Sequence, residues 1–270
     1  MYKGFNLKLE NISKLESDGK YSEELKANKK KITSKFHELI LSDGYLDAEE
    51  LMKAWFPKSE YHVFISHSHK DAEIAECLAN WLYENFGLKS FIDSHVWGYA
   101  NKLLQELNDL YARKDGDTYD YAPAIANAAH VHLMLSTALN EVIDKTECLF
   151  FLNTDNTLKK TLLKNGFEES RTASPWIMSE LKISSLIRKK LSRERGVVYK
   201  SESVGIESIT ESAKFLYSAP TDHLSDLSEE DLVSWLDDCT THFERSFIPI
   251  NISRDYKALN KLYEQAIIEA

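Results

Sequence analysis

The chain predicts an α/β fold in which a doubly wound parallel sheet of five strands is flanked by helices, and three observations carry that expectation. Short continuous apolar runs, of the kind covered on both faces, recur along it, among them HVFIS (62–66) and ECLFFLN (147–153). Between them lie segments with apolar residues at 3/4 spacing, as helices linking parallel strands require. The composition, 43% hydrophobic and 28% charged, is that of a globular chain able to bury a core without staples.

Taken in order, residues 1–60 are charged and helical in character, with a lysine run at 29–31 and a periodic segment, Phe36, Leu39, Ile40. They are expected to form a helical N-terminal extension. Within them, SDGYLDAEEL (42–51) resembles half of a calcium loop. Aligning Gly44 to that loop's glycine puts Leu39 and Leu41 where acidic ligands belong, so the segment reads as a turn opening a helix, Asp47–Trp55. HVFIS is the first strand. A helix with Ile74, Cys77, Leu78, Trp81, Leu82 and Phe86 follows and is stopped by Gly87. LKSFID (88–93) is the second strand.

An insertion near 99–130 holds a helix around Leu103–Ala112 and the loop DGDTYDYAP. A helix with Val131, Met134, Leu135, Ala138, Leu139 and Val142 then leads to the third strand, ECLFFLN. After a second insertion at 154–172, a helix runs from Ser174 to about Lys190. GVVYK (196–200) and KFLYSA (214–219) complete the five strands, and helices at 228–243 and 254–269 close the chain as a C-terminal unit, 221–270, packed on the body.

Charge and cysteine usage exclude several classes. A net charge of −10, from 43 acidic and 33 basic residues, disfavours a nucleic-acid partner. No stretch approaches the about 18 consecutive apolar residues of a membrane span, and the first residues lack a signal-peptide apolar region. A cytoplasmic protein with no membrane partner is expected. Cys77, Cys148 and Cys239 are far apart and form no CxxC pair, which fits reduced thiols rather than disulfides or zinc. His67/His69 and His130/His132 lack a third ligand at zinc spacing. No metal and no resident cofactor are expected.

For the strand order 2-1-3-4-5 the ligand crevice lies beyond the carboxyl ends of the first and third strands. Their loops here are SHSHKD (66–71) and NTDNT (153–157). Neither a GxGxxG fingerprint nor a GxxxxGK[ST] loop is present, so a tightly held redox dinucleotide or an NTPase site is disfavoured. The helix of ASPWIMSEL (173–181) starts near the same crevice. Ser174 suits an N-cap and Pro175 the first helical position. Trp176 and Glu180 are four residues apart and so share one face, which Ile183 and Ile187 continue.

YHVFISHSHKD (61–71), FIDSHVWG (91–98) and SPWIMSEL (174–181) resemble the three successive motif regions of Toll/interleukin receptor (TIR) domains: first strand and loop, second strand with its BB loop, and the helix motif S-x-W-x-x-x-E-L. The resemblance covers roughly 61–220. It implies a flavodoxin-like fold and, for bacterial members, NAD⁺ glycohydrolase activity in anti-phage defence. It further implies that Glu180 is catalytic and that Trp176 lines the nucleotide site. Ser66, His67, Ser68 and Lys70, with Asp93 and Trp97 of the BB loop, would enclose the substrate, NAD⁺. Self-association through the BB loop is implied too, with Trp97 exposed. The absence of a recognisable sensor or effector domain leaves room for a separate trigger or effector protein. Departures from the pattern are Ile177, where the family has cysteine after the tryptophan, and the two insertions. A non-catalytic TIR interaction module and a nucleoside deoxyribosyltransferase-like enzyme are the rival readings.

Overall fold

Among the described residues, eight strands and seven α-helices follow one another along the chain. The strands are β1 (Lys3–Leu7), β2 (Val63–Ser66), β3 (Ser90–Ile92), β4 (Cys148–Leu152), β5 (Lys159–Leu162), β6 (Glu168–Thr172), β7 (Tyr217–Ser218) and β8 (Ser225–Leu227). The helices are α1 (Ala48–Trp55), α2 (Ala72–Phe86), α3 (Ser94–Tyr111), α4 (Tyr121–Lys145), α5 (Pro175–Leu186), α6 (Glu229–Arg245) and α7 (Arg254–Ile268). The computed structural model describes residues 1–9, 14–15, 17–23, 46–55, 61–92, 94–114, 116, 118–164, 166–190, 215–245 and 254–268. Of these, 53–55, 94–99, 242–245, 254–255 and 267–268 are described by their backbone alone.

A five-stranded parallel sheet with the order β3-β2-β4-β1-β8 forms the centre, and β5-β6-β7 form a small antiparallel sheet. The α/β class and the five parallel strands are as the sequence predicts. The first three predicted strands lie side by side as second, first, third.

The next two positions differ. They are held by β1 and β8, where the sequence reading put 196–200 and 214–219. The first of those segments lies outside the described residues. From the second, Tyr217 and Ser218 pair with β6 instead.

The reading of 1–60 as wholly helical is thus corrected. Phe5 and Leu7 alternate with Gly4 and Asn6, and all four are buried, because β1 lies between β4 and β8. Gly4 fills the narrow side: a Cβ there would stand 2.5 Å from Leu224 Cδ2. A five-residue strand carrying glycine and asparagine on one face offers little apolar signal. In β8 only Leu227 does. The expected helix at 47–55 is present as α1, with Asp47 Oδ1 accepting from the backbone N–H groups of Glu49 and Glu50, both at 3.0 Å.

Strand alternation sorts the core into two layers. Phe5, Leu7, Val63, Ile65, Cys148, Phe150 and Leu152 meet α2, α6 and α7 on one face. Phe64, Phe91, Leu149 and Phe151 meet α1, α3, α4 and α5 on the other. The first layer closes on Trp235, whose ring stacks on Phe86 at 3.9 Å and whose Nε1–H donates to the Ala258 carbonyl at 2.8 Å. So the C-terminal helices belong to the main core. The insertion at 99–130 becomes the helical hairpin α3–α4, and that at 154–172 the hairpin β5–β6.

Because Phe5 is fully buried against Phe150 and Tyr263, with ring centroids 5.4 and 6.1 Å away, Phe5→Ala is expected to cost about 3–5 kcal/mol. Urea unfolding measures it; a loss under ~1 kcal/mol would mean that β1 is not an integral strand.

Candidate functional site

The crevice follows from the topology. The chain leaves β2 through α2 on one face toward β3, and leaves β4 toward α5 on the other face, so β2 and β4 diverge at a switch point. At this point β2 ends in Ser66. Its fully buried Oγ donates to Glu180 Oε2 at 2.6 Å. The strand-end serine and the helix carboxylate, 114 residues apart in sequence, are therefore in direct contact.

The placement of Glu180 depends on how α5 begins. Ser174 Oγ accepts from the Ile177 N–H at 3.3 Å, Thr172 Oγ1 accepts from the Ser174 N–H at 3.1 Å, and Pro175 opens the helix. This fixes the helix end to β6. Trp176, Ile177, Glu180, Leu181 and Ser184 form its buried face. The indole of Trp176 lies edge-on to the imidazole of His132 on α4, with centroids 6.2 Å apart at 64°. Further along, Ser184 Oγ and His223 Nε2 are 2.7 Å apart, so the loop before β8 holds the same helix. The helix stops at Leu186, short of the expected Lys190, because Ile187 is extended (φ −61°, ψ 137°).

Glu180 was expected at the crevice mouth. It lies beneath it, with only 1% of its surface exposed. The reason is geometric: a side chain on the sheet-facing side of α5, held by a strand-end hydroxyl, sits at the depth of the sheet. His67 is buried too, its Nδ1 3.3 Å from the Ile65 carbonyl. Ser68 Oγ accepts from the Lys70 N–H at 3.4 Å, and Lys70 itself is exposed. Ser66 and His67 thus lie with Glu180 at depth, while Ser68 and Lys70 belong to the outer turn.

The expected BB loop differs. Asp93 lies outside the described residues, and Trp97 falls within helix α3, which starts at Ser94. Val96, Ala100, Leu103 and Leu107 have 3/4 spacing, so the segment continues a helical face that the sequence reading began only at Leu103; Ala100, Leu103 and Leu107 are buried along it.

Two sets of residues that the sequence reading passed over shape the rim. Asp71 stands at the N-cap of α2 but makes no side-chain cap bond there. Its carboxylate instead accepts from Thr154 Oγ1 and Asn156 Nδ2, both at 2.6 Å, which ties the loop after β2 to the loop after β4. An aspartate just before a helix reads as a cap, which hid this role. On the other side of β4, Asn153 Nδ2 donates to Asn6 Oδ1 at 3.0 Å and Asn6 Nδ2 to Asp226 Oδ1 at 2.6 Å. Register puts Ser66, Phe151, Asn6 and Asp226 in one row across β2, β4, β1 and β8. The sequence could not reveal that row without the place of β1.

Among the described residues no group of three or more His, Cys, Asp or Glu side chains gathers as metal ligands would, and no helix is long and apolar enough to cross a membrane. What the site offers is the buried carboxylate of Glu180, a hydroxyl that orients it, an indole one turn away, and the buried Asp71 carboxylate tying the rim. Comparison with protein-family models, with curated proteins and with solved structures finds no match to this chain.

Replacing Ser66 by alanine removes the donor to a buried carboxylate and is expected to cost about 1.5–3 kcal/mol in urea unfolding; an unchanged midpoint would remove the bond from the account. His223 gives a pH dependence. Burial, and then the Lys189 charge, hold its imidazole below the ordinary 6.5. Between that value and the lower folded one the unfolded chain binds more protons. The contribution is present above pH ~6.5 and is lost as pH falls through the folded value. Stability is expected to fall as pH drops below ~6.5, and His223→Gln to flatten that slope.

Proposed function

We propose that this chain is a TIR-type enzyme that cleaves the nicotinamide–ribose bond of NAD⁺, on a flavodoxin-like sheet whose last two positions are filled by β1 and β8. The observation that carries the reading is the 2.6 Å hydrogen bond from Ser66 Oγ to Glu180 Oε2 at the β2/β4 switch point. It joins the strand motif to the helix motif, the two segments whose resemblance implies a catalytic glutamate.

The chemistry needs little more. As the bond from ribose C1′ to the pyridinium nitrogen breaks, its electron pair stays with nitrogen, and nicotinamide leaves neutral. The ribosyl centre becomes oxocarbenium-like. Water adds at C1′ and gives up a proton, yielding ADP-ribose; in cyclisation an adenine nitrogen of the same substrate takes the place of water. Glu180 anchors the ribose hydroxyls and stabilises the developing positive charge in a dry site. Ser66 fixes the carboxylate plane. Trp176 offers a face for stacking or for shielding the cation.

Since Glu180 is 1% exposed, turnover requires the rim above it to open. A trigger protein, or self-association through 93–97, would supply that opening. The setting we propose is the cytoplasm, in anti-phage defence, by NAD⁺ depletion or by an ADP-ribose-derived signal to a separate effector.

The test is nicotinamide release from NAD⁺ by the wild type and Glu180→Gln at high protein concentration, with products identified by mass. A drop of about 10²-fold or more in the variant is expected. Equal rates would remove Glu180 from the mechanism. Silence in both would leave an interaction module or an enzyme awaiting its trigger, to be separated by repeating the assay with the trigger, and base exchange on deoxynucleosides would favour a deoxyribosyltransferase.

A further inference from the structure

The two loops at the mouth of the crevice are built as separate pieces. The β2–β4 ladder ends where Ser66 faces Phe151. Beyond it, the loop after β4 braces itself: Thr157 is buried, and its Oγ1 accepts from the Thr154 N–H at 2.8 Å and donates to the Leu152 carbonyl at 3.0 Å. The loop after β2 does likewise, with the Ser68 carbonyl accepting from the Asp71 N–H at 2.8 Å and Ser68 Oγ from the Lys70 N–H. None of these bonds crosses from one loop to the other. The Asp71 carboxylate does, taking the Thr154 hydroxyl on Oδ2 and the Asn156 amide on Oδ1. Asp71 is itself buried, and at the start of α2 it forgoes the capping bond usual for an aspartate there.

We infer that Asp71 is a latch on the crevice: it holds the loops 66–71 and 153–157 together over Ser66 and Glu180, and its release is the motion that admits a ligand to them. The tie and the site grow from the same two strand ends. Asp71 follows Ser66 on the loop after β2, and Thr154 follows Phe151, the residue paired with Ser66, on the loop after β4. Ser66 is fully buried and Glu180 nearly so, hence something above them must part before any ligand arrives. Asp71 acts here as a positioning residue, without touching the substrate. The latch serves the bond cleavage proposed for Glu180 and rests on that reading for its purpose, but the parting of the loops has a readout of its own.

The construction suits opening without unfolding. Because each loop is braced within itself, parting them gives up the two bonds to Asp71 and unravels neither loop. Because Asp71 makes no cap bond, losing its side chain does not uncap α2. Hydrogen bonds to an ionised acceptor are stronger than neutral ones, so two of them hold the closed form. They are also few, which places this opening among local fluctuations well below global unfolding. A purely structural brace differs in its consequence: cutting it loosens the site and lowers activity, whereas cutting a latch raises access and activity together.

Thiol labelling of the full chain tests it. Ser66→Cys puts a sulfhydryl of nearly the same shape at the buried strand end, and its modification by iodoacetamide is followed by peptide mass. Cys148 and Cys239, both buried, report general unfolding in the same sample. Adding Asp71→Ala is expected to quicken labelling at position 66 by about 10-fold or more, with Cys148 and Cys239 as slow as before. Asn156→Ala, which cuts one bond from the opposite, exposed side, is expected to give a smaller rise. With Ser66 intact, Asp71→Ala is expected to release nicotinamide from NAD⁺ faster than the wild type. Should Ser66→Cys fail to fold, amide exchange of 66–71 in the otherwise unchanged chain gives the same readout. An unchanged rate at position 66 overturns the latch, and so does a rise matched at Cys148. Release that does not exceed that of an active wild type overturns it too. Faster labelling with no nicotinamide from either chain supports the latch and counts against the reaction proposed at Glu180, so the two fail separately.

Discussion

A carboxylate buried at the carboxyl end of a parallel sheet is the constraint around which this molecule is arranged. Taking Glu180 out of water costs several kcal/mol unless hydrogen bonds replace its hydration. Ser66 supplies one, and it can do so only because β2 ends where it does and α5 begins where it does. Three devices set the start and position of α5: the Ser174 cap, the Thr172 hydroxyl on β6, and the His223 contact at Ser184. None lies at the carboxylate itself. The placement of Glu180 is thus maintained from the ends of the helix.

The rim obeys a related logic. Loops at a switch point diverge by construction, which opens a crevice but leaves its walls without mutual support. Asp71 offsets this by bonding across the gap to Thr154 and Asn156. A carboxylate accepting two short bonds from the opposite loop is a stronger tie than apolar contact between polar loops would be. The carboxylate is oriented toward the opposite loop rather than back onto α2, and the cap bond at Asp71 is absent.

The parts of this arrangement legible in the sequence are those with an unbroken local signal. HVFIS and ECLFFLN are apolar throughout because both faces of β2 and β4 are covered, and SPWIMSEL states its own helix start. Their meeting at Ser66–Glu180 followed from topology alone. What stayed hidden was decided by partners distant in sequence. Lys3–Leu7 is a strand because Cys148–Leu152 and Ser225–Leu227 accept it, and Gly4 and Asn6 erase the apolar pattern that would have announced it. Trp97 was read into an exposed loop because the resemblance put the BB loop at 93–97, although Ala100, Leu103 and Leu107 continue a helical buried face just beyond it. The depth of Glu180 was likewise set by packing rather than by spacing.

The position of β1 has consequences for assembly as well as for architecture. Lys3 lies opposite Cys148, and Phe5 opposite both Phe150 and Ser225, so the sheet is complete only when residues from both ends of the chain have met. Contacts of such sequence separation must overcome loop-closure entropy before they stabilise anything. The β3-β2-β4 half, with α2 and α5, contains the carboxylate and its serine and closes through shorter connections. The β1–β8 half brings Asn6 and Asp226 to the same row and buttresses β4 from the other side. The division of labour is therefore spatial and sequential at once: the central segments build the site, and the two ends of the chain, arriving together, lock the strand on which half of it depends.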